Sequence, residues 1–401
     1  MLRAVRGLDR DARLFAGARV VAVAGAGVSS VALPVLVLER TGSAALTASV
    51  TGLQVLPYLV LGLVVGALAD RWPRRRIMLG AQAAAALSLL AVPLAGGGGD
   101  PSVVIVLMCA VVVSTAFVWF DAAAFGALPA IVGRDHVVDA NSVIWTWSTV
   151  VGIGGPAVGG LLVATIGPSW TLVVDAASYG VAGLMLLAIR HPFGPESRTR
   201  SGLVGDIGEG VRFVRREPVV RALTLAGVFN SVAGGAVTAL VVVIAVQRLG
   251  LRPDAAEVGL LLAAVAAGGF AGAVGLPRLT RALPLGAVTL AGLSLGMLAI
   301  LGLAAAPTWP VAAVALAAWS LGHTVVILNG IATRQRLTPD ALQGRVNTLA
   351  RMVAWGGAPV GAFGAGALAQ AADARLALAV AALVLVAGLR QARRSGVAGL
   401  T

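Results

Sequence analysis

Lysine is absent from this chain of 401 residues, and all thirty of its basic side chains are arginine. The nucleotide-binding P-loop, Gly-x-x-x-x-Gly-Lys-Ser/Thr, uses its lysine to hold phosphates, so ATP is excluded as a P-loop ligand. Cys109 is the only cysteine, which excludes an intrachain disulfide. The three histidines, His136, His191 and His323, are far apart in the sequence, so we expect no Cys/His metal site and no bound cofactor.

Charge is scarce as well. Only 12% of the residues are charged, 58% are hydrophobic, and the mean hydropathy is +0.93. About a quarter of the residues in a soluble domain are charged, so this composition predicts an integral membrane protein. The net charge of +13 could suggest a nucleic-acid partner. Because the arginines fall in short breaks between apolar runs, we expect membrane lipids around the chain and no nucleic acid.

Twelve apolar runs approach the ~20 residues that a helix needs to cross the hydrocarbon core of a bilayer. The first run is too long for the core of a cleaved signal peptide, so we interpret it as a retained helix. The sequence therefore predicts an all-α membrane protein with twelve transmembrane helices. They run approximately over 14–38, 44–69, 75–95, 102–127, 139–165, 168–189, 220–247, 256–276, 284–305, 309–330, 345–369 and 372–390.

The distribution of arginines predicts the orientation. With a cytoplasmic N-terminus, 24 arginines lie in inside segments and four in outside segments, namely Arg40, Arg248, Arg252 and Arg375. Cytoplasmic loops of membrane proteins are enriched in arginine and lysine. We therefore expect both termini on the cytoplasmic side of the inner (plasma) membrane.

The two halves of the chain resemble each other. A polar loop leads into Gly154–Gly160 in the first half, and a similar loop leads into Gly356–Gly361 in the second. We predict a six-helix bundle over 1–190, a cytoplasmic linker with an amphipathic helix over 191–219, and a second six-helix bundle over 220–401. Such pseudo-symmetric halves are typical of secondary transporters.

Three stretches carry a resemblance to a known family. They are 32–43 at the end of span 1, the loop 66–76 between spans 2 and 3, and Gly155-Pro156-Ala157-Val158-Gly159-Gly160 in span 5. Together they resemble the drug-exporter branch of the major facilitator superfamily, which includes macrolide and siderophore exporters. The resemblance implies a monomer that exports an amphipathic small molecule by alternating access, with the proton gradient and not ATP as its energy source.

In the family, the loop between spans 2 and 3 contributes to conformational gating. The resemblance assigns this role to Asp70, opposite the start of span 11 near Arg345. This chain departs from the family pattern at Pro73, where glycine is usual, and the matching loop of the second half has no acid. The residues assigned to gating are Gly66, Asp70, Arg71, Arg74, Arg75 and Arg345. The residues assigned to the antiporter-type motif of span 5 are Gly155, Pro156, Gly159 and Gly160.

Four charged residues lie five or more residues from either end of a predicted span, where charges are costly and usually functional. Asp121 and Asp175 are candidates for binding a coupling proton, because loss of hydration favours a neutral carboxyl group. Arg19 and Arg351 are their candidate partners, although the sequence does not decide which pairs form. Many family members carry an acid in the middle of span 1, whereas this chain has Gly25-Ala26-Gly27 there.

Other polar or aromatic side chains within spans are candidates for lining a substrate cavity: Gln54, Trp145, Trp147, Asn230, Trp319, His323 and Asn329. Each could also face a neighbouring helix. Two other functions fit the same sequence: uptake of a nutrient by the same fold, and a membrane sensor or lipid-handling protein that does not transport. An enzyme is not expected, because no nucleophile and base recur on facing spans.

Overall fold

The structure of the protein is a computed structural model. It describes residues 9–69, 72–95, 102–132, 137–191, 211–253, 255–338, 346, 352–353 and 356–395. Within these residues, twelve long helices account for nearly all of the chain and no strand occurs. Their bounds are Arg10–Thr41 (α1), Ala44–Ala69 (α2), Arg74–Ala95 (α3), Val103–Val132 (α4), Val137–Ile166 (α5), Pro168–Leu187 (α6), Pro218–Val243 (α7), Ala256–Ala282 (α8), Leu285–Ala305 (α9), Trp309–Leu337 (α10), Gly357–Ala371 (α11) and Ala374–Arg394 (α12).

The predicted all-helical membrane fold is confirmed. Ten of the described helices are long and apolar enough to cross a membrane. The helix α5 covers predicted span 5, and α11 overlaps the second half of predicted span 11. Several helices continue beyond their apolar span, as α10 does to Leu337. Helical hydrogen bonding is local, so a helix does not have to stop where the apolar residues stop.

Glycine and proline set several of the helix ends. Gly42 and Gly167 have positive φ values of 60° and 81°, which side chains with a Cβ rarely adopt, and they separate α1 from α2 and α5 from α6. Pro168 and Pro218 are the first residues of α6 and α7, where the missing amide hydrogen costs no helical bond. At the start of α12, the Asp373 carboxylate accepts a hydrogen bond from the Arg375 amide and caps the helix.

Charged side chains at the helix ends bind backbone groups of neighbouring helices. The Asp11 carboxylate of α1 accepts hydrogen bonds from the amides of Arg190 and His191, at 3.0 and 2.8 Å, just beyond α6. The Arg75 guanidinium of α3 donates to the Leu187 carbonyl at 2.7 Å. The bond to Leu187 satisfies a carbonyl group that the C-terminal end of α6 leaves without a partner.

The contacts divide the chain into two compact units. The first unit consists of Met1–Thr41 and Val60–Thr199, and α1 packs there against α5 and α6. The second unit consists of Gly42–Leu59 and Arg200–Thr401, and α7 packs there against α11 and α12. The first part of α2 thus belongs to the second unit, where Ala48 joins Ala239 and Ala362 in a buried cluster. Most of the predicted linker, 192–210, lies outside the described residues.

Candidate transport site

The antiporter-type motif of α5 packs directly against the backbone of α1. A Cβ added at Gly27 would lie 2.9 Å from the Gly155 Cα, and one added at Gly159 would lie 2.9 Å from the Val28 Cα. These distances are too short for any side chain, so only glycine permits this approach. Pro156 lies beside the contact, and its Cδ is 3.2 Å from the same added atom at Gly27.

The second unit repeats this arrangement between α7 and α11. A Cβ at Gly357 would lie 2.7 Å from the Val228 carbonyl oxygen, and one at Gly361 would overlap the Val232 carbonyl. In the other direction, a Cβ at Gly235 would overlap the Ala358 carbonyl. Each unit therefore contains a glycine-mediated helix pair at the place that the sequence repeat around residues 154–160 and 356–361 suggests.

Asp121 forms an ion pair with Arg19. The Arg19 Nη2 of α1 lies 2.5 Å from the Asp121 Oδ1 of α4, and about a fifth of each side chain is exposed (23% and 22%). The structure thus places one of the predicted acids beside one of its candidate partners. Pairing reduces the cost of placing each charge within a membrane-spanning segment.

Asp175 has a different environment from Asp121. Its side chain on α6 is fully buried, with 0% exposure, and its Oδ1 accepts a hydrogen bond from the Ser178 hydroxyl at 3.1 Å. Ser29 of α1 also faces this carboxyl group. Among the described residues, Asp175 has no ion pair and its Oδ2 has no hydrogen-bond partner.

Space for the Asp175 carboxyl group comes from a glycine of α1. A Cβ at Gly25 would overlap both the Asp175 Oδ1 and the Ser178 Oγ. The acid on α6 therefore lies against the Gly25-Ala26-Gly27 segment, which is where many members of the resembled family have an acid on span 1. Among the described residues, no arginine pairs with this carboxyl group.

Three candidate cavity residues come together in the second unit, between α7 and α10. The Asn230 side-chain amide donates to the His323 carbonyl oxygen at 3.2 Å. The His323 ring stacks on Trp319, with ring centroids 5.2 Å apart and an interplanar angle of 30°. Asn230 and Trp319 are both buried, with 3% exposure, so these contacts join helices within the unit.

The remaining candidate cavity residues whose side chains the structure describes are not brought together. Asn329 is buried and donates to the Leu285 carbonyl and to the Thr289 hydroxyl, both at 2.9 Å, which joins α10 to α9. Gln54 is half-buried on α2 and Trp147 is 40% exposed on α5. The side chain of Trp145 lies outside the described part of the chain.

Comparison with known proteins decides the family. The family model of the transmembrane secretion effectors, a group of the major facilitator superfamily, matches residues 12–398. The chain belongs to this family. It is a membrane transporter related to exporters and not an enzyme.

Curated relatives of the transporter are exporters. It is 32% identical over 391 residues to the multidrug efflux pump Tap of Mycolicibacterium fortuitum, covering 92% of each chain. It is also 32% identical to the Tap pump of Mycobacterium tuberculosis strain H37Rv, covering 92% of this chain and 89% of that protein. The enterobactin exporter EntS of Citrobacter koseri is 26% identical over 392 residues, which cover 94% and 91% of the two chains.

Solved structures confirm the fold. The nucleoside transporter NupG matches the transporter with a TM-score of 0.76 and 13% identity, covering 96% of this chain and 98% of that one. A bacterial homologue of the lysosomal transporter Spinster, in an inward-facing unoccupied conformation, gives a TM-score of 0.77 with 16% identity, covering 96% and 97%. At these identities the likeness concerns the fold alone.

Part of the predicted gating motif of the transporter lies outside the described residues. This applies to Asp70, Arg71 and Arg345, to the intramembrane candidate Arg351, and to the environment of Gly66. Arg74 is described and buried, with 5% exposure, while Arg75 binds the Leu187 carbonyl.

Sequence reasoning missed the groups that surround Asp175. Ser29, Ser178 and Gly25 have no unusual pattern in the sequence, and their contact with Asp175 depends on how α1 packs against α6. One signal was available in the sequence. Many members of the resembled family carry an acid in the middle of span 1, where this chain has Gly25-Ala26-Gly27. In the structure, the Asp175 carboxyl group of α6 lies against this segment.

Proposed function

We propose that this transporter exports amphipathic small molecules in exchange for protons, by alternating access of two six-helix bundles. The proposal is supported by the efflux relatives and by spans that contain few polar groups among many apolar ones. A substrate with a large apolar part fits such a lining, since pockets for small molecules are mostly apolar with a few polar groups.

The observation that carries the proton-coupling proposal is the Asp175 carboxyl group, which is fully buried and has no ion pair among the described residues. We assign it as the proton-binding group. Asp121 is the weaker candidate because Arg19 already balances its charge.

Asp70 acts in this proposal as a conformational latch. A carboxylate that binds a partner in only one conformation shifts the equilibrium between inward-facing and outward-facing states. Its proposed partner is the start of the eleventh span near Arg345, and the second half lacks a matching acid. The latch is then one-sided. We expect the variant Asp70→Asn to insert normally and to turn over more slowly than the wild type.

The bias of arginines supports cytoplasmic termini. The transporter relatives support an inner-membrane location and an outward direction of transport. Cysteine-accessibility labelling tests the orientation, because Cys109 is the only native cysteine and is buried. A cysteine introduced near either terminus should react only with a membrane-permeant reagent in intact cells. Labelling by an impermeant reagent would contradict the proposed orientation.

Everted membrane vesicles provide the test of function. When respiration acidifies their lumen, vesicles that contain the wild-type protein should accumulate ethidium, erythromycin or enterobactin. A protonophore should abolish that accumulation. Accumulation that persists in the presence of the protonophore would exclude proton exchange. A protein that transports none of the three probes would contradict the proposed substrate class.

The Asp175→Asn variant tests the assigned proton carrier. Asparagine has nearly the shape of the protonated acid but cannot release a proton. The variant should therefore lose gradient-driven accumulation and keep exchange of labelled for unlabelled substrate without a gradient. Normal gradient-driven accumulation by this variant would remove Asp175 from the coupling mechanism. The exchange assay separates this result from misfolding.

A further inference from the structure

A groove between α3 and α4, within the first unit, begins at the loop 66–76 but is lined by none of the residues assigned to gating or to proton binding. It has a volume of about 570 Å³, and its lining is almost entirely apolar apart from Arg76 and Thr115. The other lining residues are Trp72, Pro73, Ile77, Gly80, Ala81, Ala84, Val111, Val112, Ala116 and Trp119.

The length of the groove follows from the spacing of its lining residues along α3 and α4. On α3 the lining runs from Arg76 through Gly80 to Ala84, and on α4 it runs from Trp119 back to Val111. Eight residues of helix span about 12 Å. The two helices contribute mainly small side chains along this length, which leaves an apolar slot between them.

One end of the groove is aromatic and positively charged. Trp72, in the turn before α3, stacks on Trp119 of α4 with ring centroids 5.6 Å apart and an interplanar angle of 12°. Trp72 is 52% exposed, and Arg76 is also exposed one turn into the helix. Tryptophan is enriched where a membrane meets water, so this end is expected at the level of the lipid headgroups.

We propose that this groove binds one anionic phospholipid, with its headgroup at Arg76 and an acyl chain along Gly80 and Ala84. Charge complementarity selects this occupant, because a basic pocket between transmembrane helices attracts an anionic headgroup. The apolar slot beside Arg76 holds the acyl chain of the lipid. Trp72 and Trp119 form the boundary between the two parts.

Gly80 allows a sharp test of the groove. A Cβ added there meets no atom within 4 Å, so Gly80→Leu should fill the slot without disturbing the helices. Gly180 on α6 is the matched control: it is also an exposed helical glycine of the first unit whose added Cβ meets no atom within 4 Å, and it does not line the groove. Arg76→Gln removes the charge and keeps most of the side-chain length.

The experiment is native mass spectrometry of the purified full-length protein, titrated with dioleoyl-phosphatidylglycerol or dioleoyl-phosphatidylcholine. The wild type and Gly180→Leu should bind one phosphatidylglycerol more tightly than phosphatidylcholine. Arg76→Gln should weaken phosphatidylglycerol binding about fivefold, and Gly80→Leu should weaken the tightest binding of both lipids.

Three results would overturn the proposal: equal binding of the two lipids by the wild type, unchanged phosphatidylglycerol binding by both groove variants, or displacement of the bound lipid by ethidium. The last result would make the groove a substrate subsite. Because lipid binding is measured without a proton gradient and without transport, its outcome is independent of the proposed function.

Discussion

Asp175 lies against Gly25, in a position where any side chain on residue 25 would overlap the carboxyl group. The two residues belong to α6 and α1 of the same unit. Membrane-spanning helices approach this closely only where one of them presents a small residue. The result is a buried acid that faces two serines and has no ion pair among the described residues.

The variant Gly25→Ala tests this relationship. Its methyl group should displace the Asp175 carboxyl group and the Ser178 hydroxyl, since both occupy the space it needs. We expect reduced gradient-driven transport in everted vesicles, together with a stability loss of about 1–3 kcal/mol from overpacking. Gly180→Ala is the control, because its methyl group enters open space. Equal transport by the two variants would contradict the proposed role of Gly25.

The contact of α1 with α5 makes a second prediction. Gly155→Ala should impair transport and lower the free energy of unfolding by about 1–3 kcal/mol, because the added methyl group meets the backbone of Gly27. The neighbouring Gly154→Ala meets nothing within 4 Å and should be neutral or stabilising by up to about 1 kcal/mol. Thermal unfolding in detergent and vesicle transport measure both effects. Similar behaviour of the two variants would show that the close approach is unimportant.

The second unit makes a matched prediction. Gly361→Ala should be at least as harmful as Gly155→Ala, since its methyl group would overlap the Val232 carbonyl oxygen, which is rigid backbone. Gly364→Ala on the same helix has open space and should behave like the wild type. Expression, thermal unfolding and transport of the pair give the comparison. If Gly361→Ala behaves like the wild type in these measurements, α7 and α11 can separate at little cost in free energy.

The Arg19 and Asp121 pair can be measured by a double-mutant cycle. Asp121→Asn alone leaves Arg19 without its counter-charge, and we expect a stability loss of about 2 kcal/mol, less than for a fully buried pair because both side chains are partly exposed. Adding Arg19→Gln should recover part of that loss, with a coupling energy of about 1–3 kcal/mol. Strict additivity of the two substitutions would show that the ion pair contributes nothing.

Much of the fold could be predicted from the sequence, because transmembrane helices follow local rules. A run of about 20 apolar residues is long enough to cross the bilayer, and its backbone must satisfy its own hydrogen bonds there. The predicted span 44–69 coincides with α2, and most other ends agree within a few residues. The family likeness at 66–76 and 155–160 also depends on local sequence, and the family match confirms it.

The environment of the site could not be predicted in the same way. Asp121 and Asp175 look alike in the sequence, as single acids within apolar runs. Only the packing of α1 against its neighbours places Arg19 beside Asp121 and leaves Asp175 against Gly25. Asn329 looked equally available to a substrate, yet both of its described hydrogen bonds join α10 to α9.

The sequence by itself determined that this protein is a helical membrane transporter, since hydropathy, arginine placement and glycine motifs act over neighbouring residues. Tertiary structure decided which acid is paired and which remains unpaired among the described residues. The reason is physical: the state of a buried carboxyl group depends on charges and hydrogen bonds within a few ångströms, and these come from helices that are distant in the chain.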